Sequence, residues 1–109
     1  MIAGDAPVVG FEGLPLSSQL ADYFGVHEGV LVVSVMANTP AEKAGLKAGD
    51  VVTKVNTMPV ASTREITGAV RQAGRKTVGF TVIRNKKEIT LSIEIAWNHS
   101  DVFDRDAVN

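Results

Sequence analysis

The chain has no cysteine among its 109 residues, which excludes disulfide staples and thiolate metal centres and leaves the redox compartment open. Neither sign of charge is in excess: 11 Lys and Arg against 12 Asp and Glu give a formal net charge of -1. No basic field is there to hold nucleic acid, and no polybasic patch to hold a membrane surface. No apolar run approaches the roughly 20 residues of a spanning helix, so direct membrane insertion is not expected. The first residues lack the basic-then-apolar pattern of a signal peptide, and Met1-Ile2-Ala3-Gly4 reads like the vector-derived start of an excised domain. Histidine is scarce too. His27 and His99 are the only two, and neither has partners at metal-ligand or catalytic spacing. Ser17, Ser18 and Ser62 lack a nucleophile setting such as Gly-x-Ser-x-Gly. Asp101, Asp104 and Asp106 lack the Gly and the closing Glu of a calcium loop. These absences lead us to expect no cofactor, no metal and no catalysis. The length is that of one small domain.

What is present is concentrated between Ala37 and Asn56. Thr39 suits a helix N-cap, and Pro40 suits the first helical position, where a missing N–H costs nothing. Gly45 falls where the chain must leave that short helix with a positive φ, and Leu46 follows as an apolar plug. A Gly49-Asp50 turn then launches Val51 to Val55, which largely alternates like a half-buried strand.

Elsewhere, Val8 to Leu14 begins extended, and a short helix, Ser18 to Phe24, stops at Gly25. Gly29 to Val35 is β-branched enough for a central strand. Thr57-Met58-Pro59-Val60 should turn tightly into another extended pair, although Asn56-Thr57 is a costlier turn than Asn-Gly because Thr resists positive φ. Ser62 or Thr63 caps a second helix to about Ala73, closed by Gly74, with Ile66, Ala69, Val70 and Ala73 on one side. Thr77 to Arg84 and Glu88 to Ile95 alternate across Asn85-Lys86-Lys87 as a hairpin. The polar, acidic stretch from Asn98 to Asn109 is expected to be a flexible tail.

The Ala37–Asn56 pattern resembles the core signature of PDZ domains, and the likeness runs from about Pro7 to Ile95. In detail it is similar to the PDZ domains of bacterial HtrA-type (Deg-type) serine proteases. The resemblance implies an α+β fold: a PDZ-like, partly open antiparallel β-barrel or sandwich of five to six strands, two helices and a short extra helix. It also implies the permuted bacterial strand order, because only a few residues precede Val8 and Glu88 to Ile95 must fill the place of an opening strand. The domain would occupy residues 7–97, with a linker over 1–6 and the tail over 98–109.

By the same resemblance, the function is recognition of the C-terminal residues of other proteins by strand addition to a sheet edge. Val8-Val9-Gly10-Phe11 matches the family's X-apolar-Gly-apolar carboxylate-binding loop. The amides of Val9, Gly10 and Phe11 would converge on a terminal carboxylate, a glycine being needed to curl the backbone into an anion-binding nest. The side chains of Val9 and Phe11 would wall an apolar pocket, and Phe11, Glu12, Gly13 and Leu14 would offer the strand edge. The groove helix would contribute Thr63, Ile66, Thr67 and Val70, with Ile66 partly or wholly in the core and Thr63 facing the ligand's third residue from its end. A basic residue often precedes the loop in this family. Asp5-Ala6-Pro7 supplies none, leaving Arg71 or Arg75 as sources of positive charge.

The expected role is the noncatalytic, substrate-recognising module of a bacterial HtrA-type serine endopeptidase in the periplasm or cell envelope. The alternative is a scaffolding or secretion-system module that docks a fixed partner without any protease. The expected partners are C-terminal peptides, and self-association is also conceivable by docking of Ala107-Val108-Asn109 into a neighbouring groove.

Overall fold

The computed structural model describes residues 6–98. Its three helices each begin at a side-chain hydroxyl. Ser17 caps α1 (Ser18–Phe24), Thr39 caps α2 (Pro40–Ala44) and Ser62 caps α3 (Thr63–Ala73), each accepting from the N–H three residues on. In α2 and α3 a glutamate reaches back over the cap: Glu42 Oε1 accepts from Asn38 N–H at 2.8 Å and Glu65 Oε1 from Ala61 N–H at 2.7 Å. Two amides at each start are thereby satisfied by side chains. Gly45 ends α2 at φ 91°, and its N–H returns to Ala41 and Glu42. Leu46 then drops into the core beside Ala41.

The strands are β1 (Ala6–Val8), β2 (Phe11–Pro15), β3 (Val30–Val35), β4 (Val51–Val55), β5 (Met58–Pro59), β6 (Thr77–Arg84), β7 (Lys87–Glu94) and β8 (Ala96–Asn98). Six form an open antiparallel sheet in the order β2-β3-β4-β6-β7, with β5 paired to β4, and β1 pairs separately with β8. The expected α+β class and six-strand count are therefore present, and the sheet is not closed into a barrel. Val30, Val32, Val52, Val55, Val78, Phe80, Val82 and Ile93 form one apolar core with Ile66, Ala69 and Val70 of α3.

Three local readings need correction. The β6–β7 connection has two residues, not three: Arg84 pairs with Lys87, and Asn85 and Lys86 both take positive φ, at 53° and 63°. At the β4–β5 turn only Asn56 has positive φ, so Thr57 is spared the strained conformation. Asn56 is also tied to β6, donating to Gly79 O at 2.6 Å and accepting from Gly79 N–H at 3.0 Å. Lastly, Asn98 belongs to β8 rather than to a tail, and Trp97 pairs with Pro7 in register. The rest of the expected tail, from His99 onward, and residues 1–5 of the expected linker lie outside the described residues.

Among the described residues Asp50 is the one buried polar side chain, at 2% exposure. Arg84 meets it with two donors, Nε to Oδ1 at 2.9 Å and Nη2 to Oδ2 at 2.6 Å, while Nη2 also reaches Gly45 O at 2.7 Å. Lys47 N–H completes the carboxylate's shell at 2.9 Å. The hydrogen bond to Asp50 raises the guanidinium's pKa above its ordinary value. This cluster clamps the α2 exit, the Gly49-Asp50 turn and β6 together.

Candidate functional site

The site begins with β2, which lies at one edge of the sheet. Met36 donates to Gly10 O at 2.9 Å and Leu16 to Gly29 O at 3.1 Å, which fixes the phase of the β2–β3 ladder. In an antiparallel pair, alternate residues point their peptide groups to the partner and away from it. With Phe11 opposite Val35 and Gly13 opposite Val32, it is Phe11 and Gly13 whose N–H and C=O face outward. Glu12 and Leu14 direct theirs at β3. Of the four residues expected to offer the edge, two therefore supply its backbone and two supply side chains beside it. Pro15 follows and has no N–H to donate.

Just before this edge, Gly10 has φ 100°. Its carbonyl keeps the ladder by accepting from Met36, yet among the described residues no hydrogen bond has Val9 or Gly10 N–H as donor. The Met36 carbonyl, the partner a regular ladder would give Gly10 N–H, instead accepts from Thr39 Oγ1 at 2.7 Å. Val9 O accepts from Ala41 N–H at 2.8 Å, which pins the loop to the start of α2. Val8, Val9, Gly10 and Phe11 thus form a bend held by its carbonyls, with the amides of Val9, Gly10 and Phe11 left to outside acceptors. Val9 and Phe11 are half-buried against the core. A Cβ on Gly10 would fall inside the Thr39 side chain, so this position needs glycine for space as well as for φ.

Beside the edge opens a cavity of about 510 Å³ lined by Phe11, Glu12, Gly13, Leu14, Val33 and Thr63. Thr63, at the first turn of α3, is where the groove helix was expected to contribute. Thr67 lies one turn further on and is exposed, outside this lining. Ile66 is buried as expected. Val70 is 0% exposed and belongs to the core rather than to the groove. Arg71 and Arg75 are exposed. Val33 was not anticipated: the β2–β3 register slips between Glu12 and Gly13, leaving Val33 as the extra residue of a bulge and 48% exposed. Leu14, on the facing strand, is 59% exposed. Two apolar side chains thus stand open at one end of the cavity.

Comparison with known proteins bears on the family and the fold. A family model, "PDZ domain", matches residues 9–95. The chain is 40% identical over 87 residues to "Serine protease Do-like HtrA" of Lactococcus lactis subsp. cremoris, covering 79% of this chain and 21% of that protein. It is 33% identical over 106 residues to the periplasmic serine endoprotease DegP of Salmonella typhimurium, covering 92% and 22%. The chain thus spans about a fifth of the length of these curated relatives. Among solved structures, the HtrA3 PDZ domain bound to a phage-derived ligand (FGRWV) superposes with TM-score 0.75 at 25% identity, covering 93% of this chain and 95% of that one. The HtrA-type protease AlgW with a decapeptide gives TM-score 0.70 at 25% identity, covering 86% and 30%.

Proposed function

Because the chain belongs to the PDZ domain family, we propose that it binds the C-terminal residues of other polypeptides along β2, as the regulatory and substrate-recognising module of an HtrA-type serine protease of the periplasm. A PDZ domain is a binding module, and in the serine-protease relatives it is the noncatalytic part. The observation that carries the reading is the loop Val9-Gly10-Phe11. Its carbonyls at positions 9 and 10 are bonded inward, and its amides stand beside the sheet edge and a cavity of mixed polar and apolar lining. A terminal carboxylate on Phe11 N–H sets the ligand antiparallel to β2, with its last residue opposite Phe11 and its third-last opposite Gly13. The last side chain then rests on Val9 and Phe11, and the third-last faces Thr63. The domain so used runs over the expected residues 7–97, extended by one residue at each end through the Ala6–Asn98 pair of β1 and β8.

The energetics favour modest affinity. Each charge-assisted bond to the carboxylate contributes about 1.5–3 kcal/mol, and one buried Val or Leu side chain adds about as much. Ordering the peptide takes back about 2–5 kcal/mol. Dissociation constants on the order of micromolar follow.

The test is a matched pair of FGRWV peptides, one with a free C-terminus and one amidated, titrated by fluorescence anisotropy. Losing the charge-assisted bonds should weaken binding by at least about tenfold. Equal affinity for both, or no binding of either at about 1 mM, overturns the reading. Replacing Gly10 by a β-branched residue is a poorer test than the loop's sequence suggests. Its Cβ would strike Thr39, the cap of α2, so folding and binding would fail together.

A further inference from the structure

Resting on the peptide-groove reading, we propose that this chain selects ligands with a cationic penultimate residue, Lys or Arg, which Glu12 reads from a position fixed by Ser34. An antiparallel ligand whose last residue pairs with Phe11 and whose third-last pairs with Gly13 places its penultimate residue opposite Glu12 and its fourth-last opposite Leu14. Directly opposite residues of an antiparallel pair hold their side chains on the same face. The outward peptide groups of Phe11 and Gly13 make the Glu12 position a non-hydrogen-bonded one, where the strands approach most closely, at about 4.5 Å between Cα atoms.

Glu12 is not a freely swinging surface charge. Its Oε1 accepts a 3.0 Å hydrogen bond from Ser34 Oγ, its cross-strand partner on β3. That bond holds the carboxylate over the β2–β3 ladder, on the sheet face where the penultimate side chain lies. The residues lining the cavity are Phe11, Glu12, Gly13, Leu14, Val33 and Thr63. Glu12 is the one ionisable group among them, and no ion pair within 4.0 Å engages it among the described residues. A ligand's ammonium or guanidinium supplies the missing counter-charge, whereas a ligand Asp or Glu there meets a like charge. The open pair Leu14 and Val33 extends the selection to an apolar fourth-last residue. Because Pro15 donates no N–H, backbone recognition fades beyond it, and the preference is confined to about the last four residues.

The test is a series of acetylated Leu-Thr-Xaa-Val peptides, with Xaa Lys, Gln or Glu, titrated against the unaltered chain and against Glu12→Gln, Glu12→Lys and Ser34→Ala. An exposed ion pair contributes up to about 1 kcal/mol, a factor of about five. Lys should therefore bind about fivefold tighter than Gln, and about tenfold or more tighter than Glu, with the gap narrowing in high salt. Glu12→Gln should level the series, Glu12→Lys should invert it, and Ser34→Ala should shrink it about twofold. Glu12 is exposed, so these variants should keep the parent's unfolding midpoint, which circular dichroism checks. Equal binding of all three peptides, with the free carboxylate still required, overturns the selectivity and leaves the groove standing. Binding by none of them, with FGRWV also failing, overturns both.

Discussion

Two positions bear the most weight at the scale of single residues, and the sequence disclosed one of them only by half. Gly10 is legible as a loop glycine from its apolar neighbours. Its second constraint, the Thr39 side chain packed against its Cα, comes from a residue 29 positions away, and no local pattern encodes it. The effect of a Gly10→Ala exchange should accordingly appear in both stability and peptide affinity, and adding Thr39→Ser should restore neither in a thermal melt or a peptide titration, because serine keeps the Cβ and Oγ that the new methyl strikes first. The other position is Asp50, which reads as an ordinary turn aspartate after Gly49, while its partner Arg84 looks like a strand-end surface charge. In the fold they meet with two hydrogen bonds at 2.9 and 2.6 Å. Truncation of Arg84 to Ala leaves a carboxylate that is 2% exposed without its charge partner, and should cost about 3 kcal/mol. A fall in the urea midpoint with unchanged slope would register it. Arg84→Lys should recover only part, because an ammonium cannot repeat the two-pronged contact.

At the scale of elements, helix ends were the easiest features to anticipate. Hydroxyl caps and glycine exits act over three or four residues, and Thr39, Ser62, Gly25, Gly45 and Gly74 all occupy those places. Strand features were harder. The bulge at Val33, which carries Ser34 onto the face of Glu12 and Val35 onto that of Phe11, depends on how two distant strands align, and no local pattern in the Val and Leu run announces it. Val70 failed in the opposite sense: helical spacing puts it on the same side as Ile66, but only the sheet beneath decides how deep that side sinks. The hairpin turn offers a direct check. Lys86 sits at φ 63°, where a side chain costs about 1–2 kcal/mol. Its ammonium lies 5.9 Å from the Tyr23 ring centroid, a contact that returns about 0.5 kcal/mol at an exposed site. Lys86→Gly should therefore stabilise the domain by about 0.5 kcal/mol once glycine's added chain entropy is subtracted. An unchanged or lowered melting temperature would contradict that balance.

For the molecule as a whole, one apolar core shared by the sheet and α3 predicts a single cooperative unfolding transition. Ligand binding should raise its midpoint. A peptide at about 100 times its dissociation constant adds about 2.7 kcal/mol, which for a domain of this size corresponds to about 10 °C or more. Scanning calorimetry with the free-acid and amidated peptides would separate true occupancy from a solvent effect. Among the described residues the sheet leaves two margins unpaired, β2 and β7, and they are defended differently. Along β7, Lys87, Glu88 and Glu94 are charged and exposed. On β2 the defence is Pro15. A margin with two outward amides, closed by an imino ring, is long enough to seat a chain end but too short to template another margin of its own kind. At the concentrations where many copies crowd together, such a receptor should remain dispersed rather than grow into fibres.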